Sequence, residues 1–161
     1  MAKLKDEIKQ KAPFSSLEEE SLLNLVRTSD FLQRAFQAKI RGWGVTATQY
    51  NVLRILRGAH PNGLQCAAIG ARMLTAEPDI TRLLARLKAL KLIRQRRVSK
   101  DRRVVWTQIT EAGLQLLRSM DSQIRRMHLS LLGHMSRSDL SQMIRLLELA
   151  RRPCRSSRPA R

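Results

Sequence analysis

The chain has 161 residues and a formal net charge of +18, because 31 lysines and arginines stand against 13 acids. This length suits a single domain, and this charge favours polyanionic partners, with nucleic acid first and anionic membrane second. No apolar run approaches membrane-spanning length, and the N-terminal segment lacks the hydrophobic region of a signal peptide. We therefore expect a cytoplasmic, nucleoid-associated protein whose partner is nucleic acid and no membrane, although docking to anionic lipid stays open as an alternative. Cys66 and Cys154 are too few and too far apart to predict a disulfide framework or a metal site.

The N-terminal third of the chain predicts a basic arm followed by one long helix. Residues 1–15 are rich in lysine and carry few apolar anchors, so they predict an arm or a short helix. Ser16 and Glu19 have the spacing of a capping box. The apolar stripe that follows predicts a helix of about 25 residues, which glycines end. Its members are Leu22, Leu25, Ser29, Leu32, Phe36 and Ile40.

Two shorter helices are predicted next. Thr46 and Gln49 form a second capping-box pattern, which begins a helix with a strong apolar side. The turn at residues 60–63 separates it from a short helix that contains Cys66. We interpret Cys66 as a small core residue of that helix. Residues 74–76 are predicted to form the turn of a helix-turn-helix.

The stretch from Glu77 to Thr110 begins with a predicted amphipathic helix, which Pro78 starts. Its inward stripe comprises Ile80, Leu83, Leu84, Leu87 and Lys91. Its opposite side carries small residues with a few long polar ones, namely Pro78, Thr81, Arg82, Ala85 and Ala89, flanked by Asp79 and Arg86. A helix with such an outer face suits the major groove of B-DNA.

A basic hairpin is predicted directly after this helix. Its cations are Arg94, Arg96, Arg97, Lys100, Arg102 and Arg103, with Asp101 as the single acid, and residues typical of β-strands follow. A cationic tip of this kind suits phosphates or the minor groove. Charge also protects solvated sheet edges in general, but the position after an amphipathic helix favours nucleic acid. Helix and hairpin together predict a winged helix-turn-helix.

The C-terminal third predicts two more helices, and Thr110 and Ser136 with Asp139 are their caps. Their apolar stripes contain Leu117, Met120, Ile124, Met127 and Leu131 in the first, and Leu140, Met143, Ile144, Leu147 and Ala150 in the second. Together with the long first helix, these stripes need a partner surface, which a homodimer of interleaved helices would supply. Burial within a monomeric bundle is the alternative. The arginine-rich tail has no large aliphatic residue and is predicted to be disordered.

The chain resembles the MarR family of bacterial winged-helix transcription regulators over about residues 16 to 152. The residues that carry the resemblance are Asp101, Arg103, Ile109, Thr110 and Gly113, which match the D-x-R wing signature and the threonine-led helix after it. Residues 78–87 are similar to the family's recognition helix, and Lys91 stands where a glycine is common. The resemblance implies a homodimer, and it implies that Asp101 positions Arg103 for the minor groove. Many members also bind small, often aromatic, anions between the dimer helices and the DNA-binding lobe.

The predicted fold class is mainly α with a small β-hairpin wing (α+β), in which N- and C-terminal dimerisation helices flank a winged helix-turn-helix domain. The predicted segments are a basic N-terminal arm at 1–15, an N-terminal dimerisation helix at 16–45, the DNA-binding region at 46–110, C-terminal dimerisation helices at 111–152 and a basic tail at 153–161.

The candidate site residues fall into two groups. DNA contacts are predicted for Pro78, Thr81, Arg82, Arg86, Arg97, Lys100, Asp101, Arg102 and Arg103. Phe36, Trp43 and Tyr50 are candidates for a pocket that binds a small aromatic effector. The three histidines are scattered, and no catalytic grouping or phosphate-binding glycine loop occurs, so the sequence predicts neither an enzyme nor a cofactor or metal.

These observations predict a dimeric, sequence-specific DNA-binding transcriptional regulator, a repressor at an inverted-repeat operator. The recognition helix would enter the major groove of double-stranded DNA and the arginine-rich wing the minor groove, with release by a small-molecule effector as a further hypothesis. One alternative is a nonspecific architectural protein that uses only its charge. Another is a module whose basic face docks an acidic protein or anionic lipid. Thr81 and Arg82 favour the first reading, because charge alone does not require a small-residue helix face.

Overall fold

The computed structural model describes residues 3–97 and 105–152, which contain helices and one small sheet. The helices are α1 (Leu4–Glu7), α2 (Leu17–Ile40), a 3-10 helix (Arg41–Trp43), α3 (Ala47–Gly58), α4 (Cys66–Gly70), α5 (Ile80–Ala89), α6 (Glu111–Leu132) and α7 (Arg137–Ala150). The strands are β1 (Leu64–Gln65), β2 (Ile93–Arg97) and β3 (Val105–Ile109). The predicted fold class is confirmed. Among these described helices, none is both long and apolar enough to span a membrane.

The chain divides into two compact units, of which the first extends to Asp121 and the second begins at Ser122. The core of the first unit is aliphatic and draws on most of its helices. Its fully buried members include Val52, Leu53 and Leu56 of α3, Ile69 of α4, Leu84 and Leu87 of α5, and Leu117 and Met120 of α6. Burial of each such side chain stabilises the fold by about 1.5 to 3 kcal/mol. This core fixes α5 against α4 and β2, and α3 against β3.

Side-chain caps begin the long helices. The Thr46 hydroxyl accepts a hydrogen bond from the Gln49 amide, and the Gln49 side chain accepts one from the Thr46 amide, so this predicted capping box is complete. At α2 only half of the predicted box forms, because Ser16 Oγ accepts from the Glu19 amide while the Glu19 carboxylate accepts from Ser15 instead. The carboxylate finds two donors there, the amide and the hydroxyl of Ser15. Those bonds hold the pKa of Glu19 below its ordinary value.

The wing belongs to a three-stranded antiparallel sheet in the order β1-β3-β2. The sequence predicted two strands and missed β1, which pairs Leu64 with Thr107 and Gln65 with Trp106. Gly63 has a φ of 79°, and a Cβ at that position would overlap the carbonyl of Thr107. Glycine is required there, because any other side chain would push β1 away from β3.

A three-residue junction, residues 90–92, connects α5 to β2. Lys91 has a φ of 58° and is exposed, so its predicted place on the inward stripe of the helix is wrong. The helix ends at Ala89. Lys91 then adopts a left-handed backbone conformation, which costs glycine less conformational energy than any other residue. The Lys91 carbonyl accepts a hydrogen bond from the Thr110 hydroxyl at 2.8 Å, and the Thr110 amide donates to the Leu92 carbonyl at 3.0 Å.

Several apolar side chains of α2 remain exposed in the first unit. Leu17, Leu22, Val26 and Phe31 are each between 57% and 78% exposed, although Leu22 belongs to the predicted packing stripe. In the second unit, the Ser136–Asp139 capping box is complete, as predicted, and α7 has no buried residue. Ile144, predicted to face inward, is 56% exposed in the single chain. Both units therefore carry apolar surface that one chain leaves in water.

Candidate nucleic-acid interface

Helix α5, which the sequence predicts to be the recognition helix, begins at a capping aspartate. Asp79 Oδ1 accepts a hydrogen bond from the Arg82 amide at 2.9 Å. This side chain satisfies one of the amides that the first turn of a helix leaves without a partner. The prediction that Pro78 starts the helix is therefore wrong by two positions, since Pro78 lies in the turn before the cap and is exposed.

Two faces of α5 differ in their exposure to solvent. Leu83, Leu84 and Leu87 are buried and attach the helix to the core. The predicted DNA contacts Thr81, Arg82 and Arg86 are all exposed. The structure thus places these three polar residues on one rigid element, where they remain open to solvent.

The turn that precedes α5 is held by a residue of α3 that the sequence analysis missed. Asn51 Oδ1 accepts a hydrogen bond from the backbone amide of Leu74 at 3.0 Å. Leu74 itself is 84% exposed, so the contact fixes its backbone and leaves its side chain free. Asn51 was difficult to identify because a single polar residue in an amphipathic helix carries no signal of its long-range partner.

The register of the wing divides its side chains between two faces of the sheet. Arg94 lies opposite Gln108 and Arg96 opposite Trp106, whereas Gln95 and Arg97 alternate with them and belong to the other face. Arg94 and Arg96 were recognised as hairpin cations but not as site residues. Residues two apart in a β-strand lie on the same face of the sheet, so this spacing could have indicated that Arg94 and Arg96 share a face.

Gln108 connects the base of the wing to the turn between α3 and β1. Its side-chain oxygen accepts a hydrogen bond from Arg94 Nε at 3.0 Å. Its side-chain nitrogen donates to the carbonyl of Pro61 at 2.8 Å and lies 3.3 Å from that of Asn62. The Arg94 guanidinium is therefore oriented through a side chain whose own position is fixed by backbone contacts.

The arginines of the recognition helix and of the described part of the wing form none of the ion pairs found in residues 3–97 and 105–152. Those pairs are Arg27–Glu7, Arg34–Asp30, Arg57–Asp121 and Arg118–Glu111. Within the described residues, no acid therefore pairs with Arg82, Arg86 or Arg97, and an external anion could take their guanidinium donors. The predicted wing-tip contacts Lys100, Asp101, Arg102 and Arg103 lie outside the described residues, as do Cys154 and the tail.

A cavity of about 520 Å³ lies between α4, α5 and the sheet, and it brings the predicted helix and wing contacts together. It is lined by Gln65, Cys66, Ala67, Thr81, Leu84, Lys88, Gln95, Arg97, Val105 and Thr107. Thr81 of the recognition helix and Arg97 of the wing share its border. Cys66 is half-buried there, so its interpretation as a core residue is wrong. Ile69 takes the core position of this short helix, with no exposed surface.

The aromatic residues predicted to line an effector pocket are arranged as a packed pair and a separate residue. The rings of Phe36 and Tyr50 have centroids 5.7 Å apart at an angle of 54°, and Tyr50 is 5% exposed. Burial raises the pKa of the Tyr50 hydroxyl, although the charge of Arg54, 5.9 Å from the ring centre, acts in the opposite direction. Trp43 lies in the 3-10 helix and is half-buried. None of the three lines the cavity beside the wing.

Across the described ranges, no cluster of three or more histidine, cysteine, aspartate or glutamate side chains has the geometry of a metal site.

Comparison with known proteins identifies the family. The model for the MarR family matches residues 43–104, from the last residue of the 3-10 helix to the residue before β3. The structure of a MarR transcription factor from Planctomyces limnophilus is 39% identical and matches over 85% of this chain and 99% of that one, with a TM-score of 0.67. The chain belongs to the MarR family. It is therefore related to transcription regulators rather than to enzymes. Among the curated proteins, none matches its sequence.

Two solved structures of lower sequence identity have the same fold. The S. aureus MepR–DNA complex matches at 22% identity over 86% of this chain and 97% of that chain, with a TM-score of 0.71. Bordetella bronchiseptica BpsR, whose DNA binding is regulated by 6-hydroxynicotinic acid, matches at 23% identity over 82% and 98%, with a TM-score of 0.74.

Proposed function

We propose that this MarR-family regulator is a homodimeric, sequence-specific repressor that binds an inverted-repeat operator. The observation that carries the proposal is the exposed polar face of α5, which presents Thr81, Arg82 and Arg86 beside a basic wing. A nonspecific binder needs positive charge, but it does not need a capped helix with a small-residue outer face. MepR, a structural neighbour, has been crystallised with DNA.

In the proposed complex, α5 enters the major groove. Arg82 is in the first turn, where a guanidinium reaches the O6 and N7 acceptors of guanine, and Thr81 is its neighbour on the exposed side. Arg86 is one turn later and contacts the groove wall or a phosphate. Pro78 contacts the DNA backbone from the turn before the helix. The helix has ten residues and is about 15 Å long, which suits insertion in the groove.

The wing contacts the neighbouring minor groove and its phosphates. Arg97 at the end of β2 leads into the tip, where we assign DNA contacts to Lys100, Arg102 and Arg103. The assignment of Asp101 follows the family resemblance, in which this acid orients Arg103. A charge-assisted pair between them would fix the guanidinium direction, which a flexible arginine alone does not achieve.

Dimerisation uses the helices outside the DNA-binding region. The exposed apolar residues of α2 and the lack of any buried residue in α7 support this, since a monomer seldom leaves so many large apolar side chains in water. In such a dimer, residues 16–45 and 111–152 form the interface and residues 46–110 bind DNA. The two recognition helices would be about 34 to 36 Å apart and would meet successive major grooves. The basic segments 1–15 and 153–161 add nonspecific attraction to phosphate.

A small aromatic effector is a second element of the proposal. It is supported by the regulation of BpsR by 6-hydroxynicotinic acid and by the placement of Phe36 against Tyr50 near the end of α2. Trp43 follows directly after α2. A ligand that separates these rings would displace the end of α2 relative to α3. Thermal unfolding with a panel of aromatic carboxylates tests this, and Phe36→Ala is expected to abolish any stabilisation.

Binding selection from random duplex DNA tests the main proposal. We expect a palindromic consensus with half-site centres roughly one helical turn apart, and a dimer by size measurement at the same concentration. Arg86→Lys is a matched variant that keeps the charge of α5 but removes the planar guanidinium. Lack of enrichment would favour the architectural alternative instead, and binding to vesicles with anionic lipid in preference to DNA would favour the docking module. A consensus of a single half-site, or a monomer, would contradict the dimeric arrangement.

A further inference from the structure

The sheet carries a second cationic surface on the side that faces away from α5. Arg94 lies opposite Gln108 and Arg96 opposite Trp106, so these four side chains share one face of the sheet. The alternate residues of both strands line the cavity beside α5 and belong to the other face. The face of Arg94 and Arg96 is therefore distinct from the surface that adjoins the proposed recognition helix.

A cavity of about 400 Å³ lies on this outer side of the wing, and we call it the outer cavity. It is lined by Arg94, Gln95, Arg96 and Gln108, none of which is acidic. Its volume falls within the usual range of small-molecule sites. Both arginines are exposed, and neither belongs to an ion pair formed within residues 3–97 and 105–152.

The Arg94 guanidinium is held in place before any ligand arrives. Its Nε donates a hydrogen bond to the Gln108 side-chain oxygen at 3.0 Å, and the Gln108 nitrogen donates to the Pro61 carbonyl at 2.8 Å. The bond from Nε leaves the two terminal NH2 groups of Arg94. Because the side chain is already oriented, binding through those groups costs less conformational entropy than binding by a free arginine.

Arg96 adds a second guanidinium on the same face. Residues two apart in a strand have Cα atoms about 7 Å apart, so the charges of Arg94 and Arg96 repel each other. An anion between them removes this repulsion. A phosphate group offers four oxygens in a tetrahedral arrangement, so two guanidinium groups can each contact different oxygens, whereas a carboxylate has only two oxygens to share.

We propose that the outer cavity is a phosphate-binding site. Arg94 takes two phosphate oxygens through its terminal NH2 groups, and Arg96 binds the same group from the neighbouring position on the strand. The phosphate can come from a small phosphate compound or from the backbone of DNA that flanks an operator. The site does not depend on the proposed function, and only the DNA source rests on it.

Nuclear magnetic resonance of the full chain tests the site without any DNA. The chain has two tryptophans, and Trp43→Phe assigns their indole signals. Inorganic pyrophosphate is titrated while sodium chloride keeps the ionic strength constant. Since Trp106 lies opposite Arg96, its signal should move and saturate, with a dissociation constant on the order of 1 mM, and that of Trp43 should not move. Citrate, a carboxylate of similar charge, should bind more weakly.

Three variants separate an oriented site from general positive charge. Arg94→Gln should raise the dissociation constant of pyrophosphate about tenfold. Arg126→Gln removes an equally exposed guanidinium from α6 and should leave it unchanged. Arg94→Lys keeps the charge but removes the planar guanidinium that takes two oxygens side by side, so it should also bind more weakly than the wild-type chain.

Three results would overturn the site. They are a Trp106 signal that does not move at about ten times the expected dissociation constant, equal effects of Arg94→Gln and Arg126→Gln, or wild-type affinity in Arg94→Lys. Tighter binding of citrate than of pyrophosphate would overturn its assignment to phosphate.

A second titration, on protein bound to a duplex, distinguishes the two phosphate sources. The duplex carries the selected operator with about one helical turn of flanking DNA at each end. If the DNA backbone occupies the outer cavity, pyrophosphate no longer moves the Trp106 signal, and Arg94→Gln reduces the salt dependence of DNA affinity by about one phosphate contact per protomer. If the signal still moves and the salt dependence is unchanged, the source is a small phosphate compound. Failure to bind any duplex would instead refute the proposed function, and the first titration would still decide the site.

Discussion

Substitution of Asp79 tests whether the first turn of α5 must be ordered for the proposed DNA binding. Its carboxylate accepts the hydrogen bond of the Arg82 amide at 2.9 Å. Replacement of a capping aspartate by alanine costs about 0.5 to 2 kcal/mol of helix stability. The buried leucines of α5 begin only at Leu83, so this cost should be concentrated in the first turn, which carries Thr81 and Arg82.

The expected size of the effect follows from that cost. If binding must reorder the first turn, a cost of about 1 kcal/mol weakens operator affinity about fivefold. Removal of the carboxylate also removes a negative charge from the proposed DNA-binding face, which strengthens attraction to any duplex. Asp79→Asn separates the two effects, because asparagine retains an oxygen acceptor for the Arg82 amide and lacks the charge.

We therefore expect Asp79→Ala to bind the selected operator about fivefold more weakly than Asp79→Asn, while both variants bind a scrambled duplex equally and somewhat better than the wild-type chain. Fluorescence anisotropy titrations at one fixed salt concentration measure this difference, and urea unfolding verifies that the alanine variant has lost its cap. Equal operator affinities for the two variants, despite a measured loss of stability in the alanine variant, would refute the role of the helix start.

Three further predictions address the interface and the core. Arg82→Ala should cost about 1 to 3 kcal/mol and relax one position of the consensus, whereas Arg103→Ala should weaken binding to most sequences, as duplex selection with each variant would reveal. Asp101→Ala should weaken operator binding while scrambled binding stays unchanged or rises, and equal tightening on both duplexes would exclude an orienting role for Asp101. Tyr50 is the single tyrosine, so phenolate absorbance should titrate above its ordinary pKa of 10.0, and Arg54→Met should raise the midpoint further. Because the unfolded chain ionises first, the free energy of unfolding should fall as pH rises above 10.0, and a midpoint at or below that value would contradict the burial of the hydroxyl.

Local signals in the sequence predicted the starts of α3 and α7 well. The Thr46–Gln49 and Ser136–Asp139 capping boxes both form in full, because their two partners are three residues apart and need no other part of the chain. The outward placement of Arg82 was predictable for a similar reason, since helical periodicity alone fixes which side opposes the buried leucines.

Features that depend on distant partners were not predictable. Strand β1 has two residues and exists because it pairs with β3, so its own composition carries almost no signal. Lys91 fitted the helical period, but the chain leaves the helix before it, and its left-handed backbone is fixed by contacts with Thr110. Cys66 was assigned to the core because its neighbours are apolar, whereas the sheet leaves a cavity beside it.

The junction between α5 and β2 determines which partner must deform when protein and DNA meet. The backbone amides of Lys91 and Leu92 both donate to carbonyls of α5, and Thr110 bonds to the carbonyls of both residues. The separation between α5 and the start of the wing is thus set by bonds within the protein, before any contact with nucleic acid. In the proposed complex, the duplex must adjust its own groove width to match this separation. Base pairs that the protein never contacts would then influence affinity through their stiffness, so A-tract and mixed-sequence flanks around one operator should bind differently.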